Sequence, residues 1–172
     1  EALKSYESAI KNKHAYPIAH NNLGIILLNL DKINSAIKCF EWAIAYDASY
    51  AEAHNNLGSA LQKIMKFENA KKEFQTAISL NANYAQAFHN LGILCEIINL
   101  PKEALVNYER AVEINPNFAE AYRNLSKVKT FKVNDKHISR MYSLYSRSEL
   151  HLSDKARISF ALAKVNKDLD NQ

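Results

Sequence analysis

All three glycines of this 172-residue chain, Gly24, Gly58 and Gly92, stand 34 residues apart. They close the segments AHNNLG (19–24), AHNNLG again (53–58) and AFHNLG (87–92). Each lies in a stretch that otherwise reads as helix, where glycine costs about 1 kcal/mol relative to alanine. A strict period of this length marks an array of small units. With glycine at position 8, the units run 17–50, 51–84 and 85–118. Position 7 is then Leu23, Leu57 and Leu91, and position 20 is Ala36, Ala70 and Ala104. Position 24 is Phe40, Phe74 and Tyr108, and position 27 is Ala43, Ala77 and Ala111. Ala2, Tyr6 and Ala9 continue the register backwards, so 1–16 is expected to be the second helix of a truncated unit.

The recurring residues explain the misplaced glycines. Two antiparallel helices approach closely only where their side chains are small, and glycine and the two alanines supply those places. The aromatic residue between the alanines fills the gap that remains. Packing repeated in every unit outweighs the lost helix propensity. Three glycines and three prolines leave room only for short loops, so the chain is expected to be helical. Pro17 and Pro101 suit first helical turns, and Pro116 suits a connection.

Leu-Gly, then Ala-x3-Phe/Tyr, then a further Ala resembles the tetratricopeptide repeat pattern. The sequence departs from that pattern where Trp is frequent, with His20, His54, Phe88 and Tyr122. At position 32 only Pro116 keeps the proline, against Ala48 and Ala82. The resemblance implies an all-α, right-handed superhelical solenoid of antiparallel helix pairs with an extended concave surface.

A weaker continuation follows. AEAYRNLS (119–126) reads as another first helix with Ser126 in the glycine's place. NDKHISRMYSLYS (134–146) sets Ile138, Met141, Tyr142 and Tyr145 on one helical face. Residues 119–152 are therefore expected to form a degenerate pair, and 153–172 the first helix of a further truncated repeat. The chain reads as a fragment of a longer protein. Residues 1–118 carry 11 basic against 12 acidic side chains, whereas 119–172 carry 11 against 6, a net +5. Residues 119–172 also resemble the junction between bacterial repeat arrays and a C-terminal sulfotransferase-like domain. That resemblance implies a catalytic domain beyond Gln172.

The inventory for chemistry is thin. No His/Cys/Asp/Glu set has metal-ligand spacing, and no nucleophile elbow or phosphate loop occurs, so neither catalysis, a metal nor a cofactor is expected. Cys39 and Cys95 read as half-buried free thiols. An apolar fraction of 48% and a charged fraction of 23% fit a folded protein. No apolar run approaches the ~20 residues of a membrane span, and no signal-peptide pattern opens the chain. A cytoplasmic location is expected, with the natural N-terminus missing.

Binding is the expected role. In the family that the chain resembles, groove-facing positions are 2, 5, 6, 9, 12 and 13. Position 6 is Asn22, Asn56, Asn90 and Asn124, and position 5 is Asn21, Asn55, His89 and Arg123. An amide side chain both donates and accepts, so one per unit can hold the backbone of an extended peptide. The row resembles the asparagine ladder in the repeat domain of O-linked N-acetylglucosamine transferases. The alternative is that these asparagines only tie neighbouring helices together. Ile25 and Ile93 make the flanks apolar and Ser59 makes the middle polar. A clamp for a terminal carboxylate, known in some members, is disfavoured, because Asn56 alone matches it. Trp42 is a possible contact on the outer face. Basic residues interleaved with Phe131, Tyr142 and Tyr145 read as a solvated face over core aromatics, so nucleic acid is not the expected partner. The expected partner is a protein or peptide. The alternatives are the substrate-presenting arm of a larger transferase and self-association into a homo-oligomer.

Overall fold

The computed structural model describes residues 16–171, so the helix expected over 1–16 falls outside them apart from Tyr16. The described elements are helices in the order α1 (Pro17–Asn29), α2 (Ile33–Tyr46), α3 (Ala51–Lys63), α4 (Phe67–Leu80), α5 (Ala85–Ile97), α6 (Pro101–Ile114), α7 (Ala119–Val128), α8 (Lys136–Tyr145) and α9 (Leu152–Asp170). The first six begin and end at the 34-residue spacing that the glycines set. The chain divides into two compact units, 1–90 and 91–172, with the boundary inside α5.

In the first unit α1 pairs with α2, α3 pairs with α4, and α2 packs on α3. Phe40 and Phe74 are fully buried, as are Ala36, Ala43, Ala70 and Ala77. A Cβ added at Gly24 would lie 2.5 Å from Phe40 Cε1, and one at Gly58 would lie 2.7 Å from Phe74 Cε1. The helices therefore meet through ring against bare backbone, as the sequence pattern requires. In the second unit Tyr108 faces Gly92 in the same way, with an added Cβ 2.6 Å from its Cε1.

The turn inside each repeat is a left-handed residue at position 15: Asp31, Met65 and Asn99, with φ of 58°, 60° and 59°. The amide after it closes a six-residue loop back to the helix, Lys32 to the Leu27 carbonyl at 2.9 Å and Lys66 to that of Leu61 at 3.0 Å. Left-handed backbone costs an L-residue roughly 1–2 kcal/mol. Met65 gains little in exchange, because its side chain is 77% exposed. Met65→Gly is expected to raise the unfolding free energy by about 0.5 kcal/mol. A urea midpoint at or below that of the unchanged chain would count against this account of the turn.

Between repeats, position 31 carries Asp47, Asn81 and Asn115. Their side chains accept the backbone N–H two residues on, from Ser49, Asn83 and Asn117, at 2.9, 3.0 and 3.0 Å. This Asx turn lets Ala48 and Ala82 stand where proline is usual. Hydrogen bonds from the Ser49 hydroxyl and amide hold the Asp47 carboxyl below its usual range.

The second unit departs from the repeat after α7. Its last helix, α9, packs along α7 and also against α8. The face of α8 differs from the expected one. His137 and Met141 are fully buried and Leu144 nearly so, whereas Tyr142 and Tyr145 are exposed and Ile138 is half-buried. Met141 keeps its expected place inside, but His137 and Leu144 take the inward positions expected of Ile138, Tyr142 and Tyr145, which turns the buried face toward the preceding residue. The connector before it imposes that turn. Asp135 accepts the His137 N–H at 2.9 Å and caps the helix, and His137 lies edge-on to Tyr122 with ring centroids 6.4 Å apart. Lys129 bridges Glu109 at 2.5 Å and Asp135 at 2.9 Å. Phe131 is fully buried, and its N–H donates to Asp168 of α9 at 3.0 Å.

Candidate functional site

Within the first unit, positions 5 and 6 of the first helices sit one turn apart from positions 2 and 9. The helices α1, α3 and the start of α5 bring these side chains together as a continuous chain of hydrogen bonds. Gln86 Nε2 donates to Asn90 Oδ1 at 2.9 Å, and Asn90 Nδ2 donates to Asn55 Oδ1 at 2.9 Å. Asn55 Nδ2 donates to Asn56 Oδ1 at 3.4 Å, and Asn56 Nδ2 donates to Asn21 Oδ1 at 2.9 Å. Asn21 Nδ2 completes the chain on Glu52 Oε1 at 3.4 Å. The carboxylate dictates the direction of the whole chain. Glu52 can only accept, so Asn21 must turn its NH2 toward it and its oxygen toward Asn56, and each amide onward follows suit. Bonds aligned head to tail polarise one another.

The positions predicted from sequence separate into two kinds. Asn21, Asn55 and His89 are buried, 0%, 2% and 1% exposed, so position 5 sits beneath the face instead of on it. Asn22, Asn56 and Asn90 are half-buried and reach the surface, as do Ile25 and Ser59. Ser59 Oγ lies 3.4 Å from Asn90 Nδ2 and donates to the Asn55 carbonyl at 3.1 Å. Each amide has two N–H groups and two acceptor sites, so Asn56 keeps one donor and one acceptor outside its bonds to Asn21 and Asn55.

In the second unit, Asn124 is 5% exposed and its Oδ1 accepts from Lys127 Nζ at 2.8 Å. Arg123 is exposed, with its guanidinium 5.4 Å from the centroid of the Phe160 ring. Ile93 is half-buried.

Sequence reasoning missed the two ends of the amide chain, Gln86 and Glu52, and the tyrosines near Glu52. Burial, with Glu52 close by, pushes the Tyr84 phenol up to about 12, and the Tyr50 phenol rises for the same reasons. The available signal was that Glu52 and Gln86 each stand four residues before a position-6 asparagine, on the same helical face. Removing the carboxylate strands the buried Asn21 donor. Glu52→Ala is therefore expected to destabilise the chain by about 1 kcal/mol, while Glu52→Gln, which keeps an acceptor, loses less than half of that. Equal losses in urea melts of the two variants would contradict the chain's dependence on an acceptor at Glu52.

Trp42 is half exposed and lies edge-on to His20 with ring centroids 5.4 Å apart, and Tyr46 stacks on the same imidazole at 5.5 Å. His54 bonds Glu73 at 2.7 Å. Both cysteines are buried free thiols, deeper than the half-burial expected, and burial pushes the Cys39 thiol up. Among the described residues, no group of three or more His, Cys, Asp or Glu is placed to hold a metal ion, and no helix is long and apolar enough to cross a membrane.

Two family models match the sequence. One, described as TPR repeat, covers residues 30–64 and 102–129, and the other, described as tetratricopeptide repeat, covers 51–84. No curated protein matches it. Among solved structures, TTC0263, a thermophilic TPR protein in Thermus thermophilus, superposes with a TM-score of 0.75 at 18% identity, over 94% of this chain and 89% of the other. YrrB, described as a TPR protein with an unusual peptide-binding site, superposes with a TM-score of 0.69 at 22% identity, over 99% of this chain and 93% of its own. The first TPR of Spaghetti (RPAP3), bound to the HSP90 peptide SRMEEVD, gives 0.62 at 27% identity, over 65% of this chain and 89% of its own. Residues 30–84 and 102–129 match tetratricopeptide-repeat models, and the fold is an all-α TPR solenoid.

Proposed function

We propose that this TPR chain is a protein-interaction scaffold that holds an extended peptide by its backbone on the first-helix face, with Asn22, Asn56 and Asn90 as the contact residues of the first unit. The observation that carries the reading is the polarised amide chain from Gln86 to Glu52. It fixes which way Asn56 and Asn90 point before any ligand arrives, and a prearranged donor and acceptor spare the ordering cost of binding. Position 5, buried beneath, serves as the support. Ile25 and Ser59 flank the row, and in the second unit, taken by itself, Ile93, Arg123 and Asn124 are the proposed contact residues. The Spaghetti domain's peptide complex supports a peptide as the class of partner. Its acidic peptide is not carried over, because the carboxylate clamp is not matched here beyond Asn56.

The test is capture from a peptide library by the chain and by a variant with Asn22, Asn56, Asn90 and Asn124 changed to alanine, with circular dichroism as the fold control. Loss of capture with the helical signal intact supports the reading. Undiminished capture contradicts it and directs attention to Trp42. A second reading, the substrate-presenting arm of a sulfotransferase-like transferase, is favoured by the way 119–172 leaves the repeat packing at α8 and α9. Sequence downstream of Gln172 in the full gene decides it. Self-association would appear in the same preparations as a concentration-dependent sedimentation coefficient.

A further inference from the structure

Several basic side chains of the second unit have acidic partners. Lys129 pairs with Glu109 and Asp135, Lys136 with Glu113, Arg157 with Asp154, and Lys164 with Asp168. Arg140 and Arg147 pair with no carboxylate among the described residues. They line the same pocket, of about 320 Å³, together with Ser139, Ser143, Pro116 and Leu144.

Each arginine is held in place by something other than an acid. Arg147 Nη1 donates to Asn117 Oδ1 at 2.9 Å, and Asn117 is itself fixed by the Asx turn from Asn115. Arg140 lies beside the Tyr122 phenol, the polar neighbour of its guanidinium, and its Nη1 is buried. Two guanidinium groups and the Ser143 hydroxyl around one concavity match a tetrahedral oxyanion, which accepts several charge-assisted bonds at once, while the Ser139 hydroxyl donates to the Lys136 carbonyl at 3.2 Å. The pocket is also larger than such an ion needs and lies at the lower end of the range for small organic ligands. Leu144 and Pro116 offer apolar contact to a carbon body attached to the anion.

We propose that this pocket binds the phosphoryl group of a phosphate monoester, with Arg140 and Arg147 as its ligands and Ser139 and Ser143 at its edge. The ester is either a free small molecule or a phosphorylated side chain of a protein partner, and the two share the recognised chemistry. The site is independent of the peptide-binding face proposed above.

The whole 172-residue chain is titrated at constant ionic strength with inorganic phosphate, O-phosphoserine and a phosphoserine-containing peptide, with binding followed by calorimetry and by backbone amide shifts. O-phosphoserine is expected to saturate with Kd of about 1 mM or tighter, and inorganic phosphate to bind several-fold more weakly. Arg147→Gln, at an exposed position, is expected to weaken O-phosphoserine at least tenfold without a change in melting temperature, and Arg140→Gln to do the same. Lys132→Gln, which adds no group to the pocket, is expected to leave binding unchanged. A peptide that binds better than the free amino acid identifies a protein partner, and the reverse order identifies a small molecule. The proposal is overturned by a non-saturating response, by equal affinity for inorganic phosphate and O-phosphoserine, or by equal losses in all three variants, which would be the signature of a diffuse basic surface.

Discussion

Gly58→Ala is expected to lower the unfolding free energy by about 2 kcal/mol, although alanine is the better helix former. The added methyl carbon would stand 2.7 Å from Phe74 Cε1 and 2.8 Å from its Cδ1. These distances are shorter than carbon atoms tolerate, and the phenyl ring is fully buried with Ala70 and Ala77 on either side of it in α4. Overpacking a filled core costs roughly 1–3 kcal/mol, and a clash this close belongs at the upper end. Gained helix propensity returns only about 1 kcal/mol. The same geometry makes the effect specific. Phe74→Leu alone loses about 1–2 kcal/mol through its cavity, but in combination with Gly58→Ala it makes room for the new methyl. The two losses should therefore fall short of additivity by about 1 kcal/mol in urea melts of the single and double variants. Strict additivity would mean that ring and glycine do not meet as described.

Lys129→Met is the second large effect, expected at about 3 kcal/mol at neutral pH. The Lys129 side chain is 14% exposed and its ammonium stands between Glu109 and Asp135, so its removal leaves two carboxylates facing each other. The pH dependence separates this from simple loss of packing. In the unchanged chain, burial pushes Asp135 up, but the His137 amide and Lys129 outweigh it and hold the carboxyl below its usual range. The Lys164 hydrogen bond holds Asp168 low, and the Lys136 hydrogen bond does the same for Glu113. A carboxyl depressed on folding stabilises above its unfolded pKa, near 4, and that contribution fades as pH falls through the folded value. Lys129 is desolvated, yet its two carboxylates raise it, so its contribution is present below about pH 10 and lost above that. The second unit should thus weaken below pH 4. In Lys129→Met the sign reverses locally, because protonating Asp135 relieves the repulsion. The gap between variant and unchanged chain is expected to narrow as pH drops from 7 to 4, measured by urea midpoints. A constant gap would contradict the electrostatic account.

The repeat was legible in the sequence because its constraint is local in register. Glycine, alanine and a large aromatic must recur at fixed positions for two helices to close together, and nothing else in this chain uses glycine. The departure at α8 was not legible. Its apolar residues allow two faces one residue apart, and the choice between them lies with Asp135 and Lys129, whose partners come from other elements. The turns at Asp31, Met65 and Asn99 were hidden for a different reason, since none of these positions carries the glycine that normally announces left-handed backbone. The position-6 asparagines were visible as a row, but the buried role of Asn21, Asn55 and His89 was not. Which amide lies underneath depends on how far one first helix is offset against the next, and periodicity carries no information on that offset.

The most direct test of the proposed backbone-reading face follows the side-chain amide protons of Asn56 and Asn90 by nuclear magnetic resonance, as a captured peptide is added to the whole chain. Saturable shifts of both NH2 pairs are expected at the concentration where the peptide's own backbone amides become protected from exchange. Peptide that saturates elsewhere on the chain while both amide pairs stay unmoved would contradict the account.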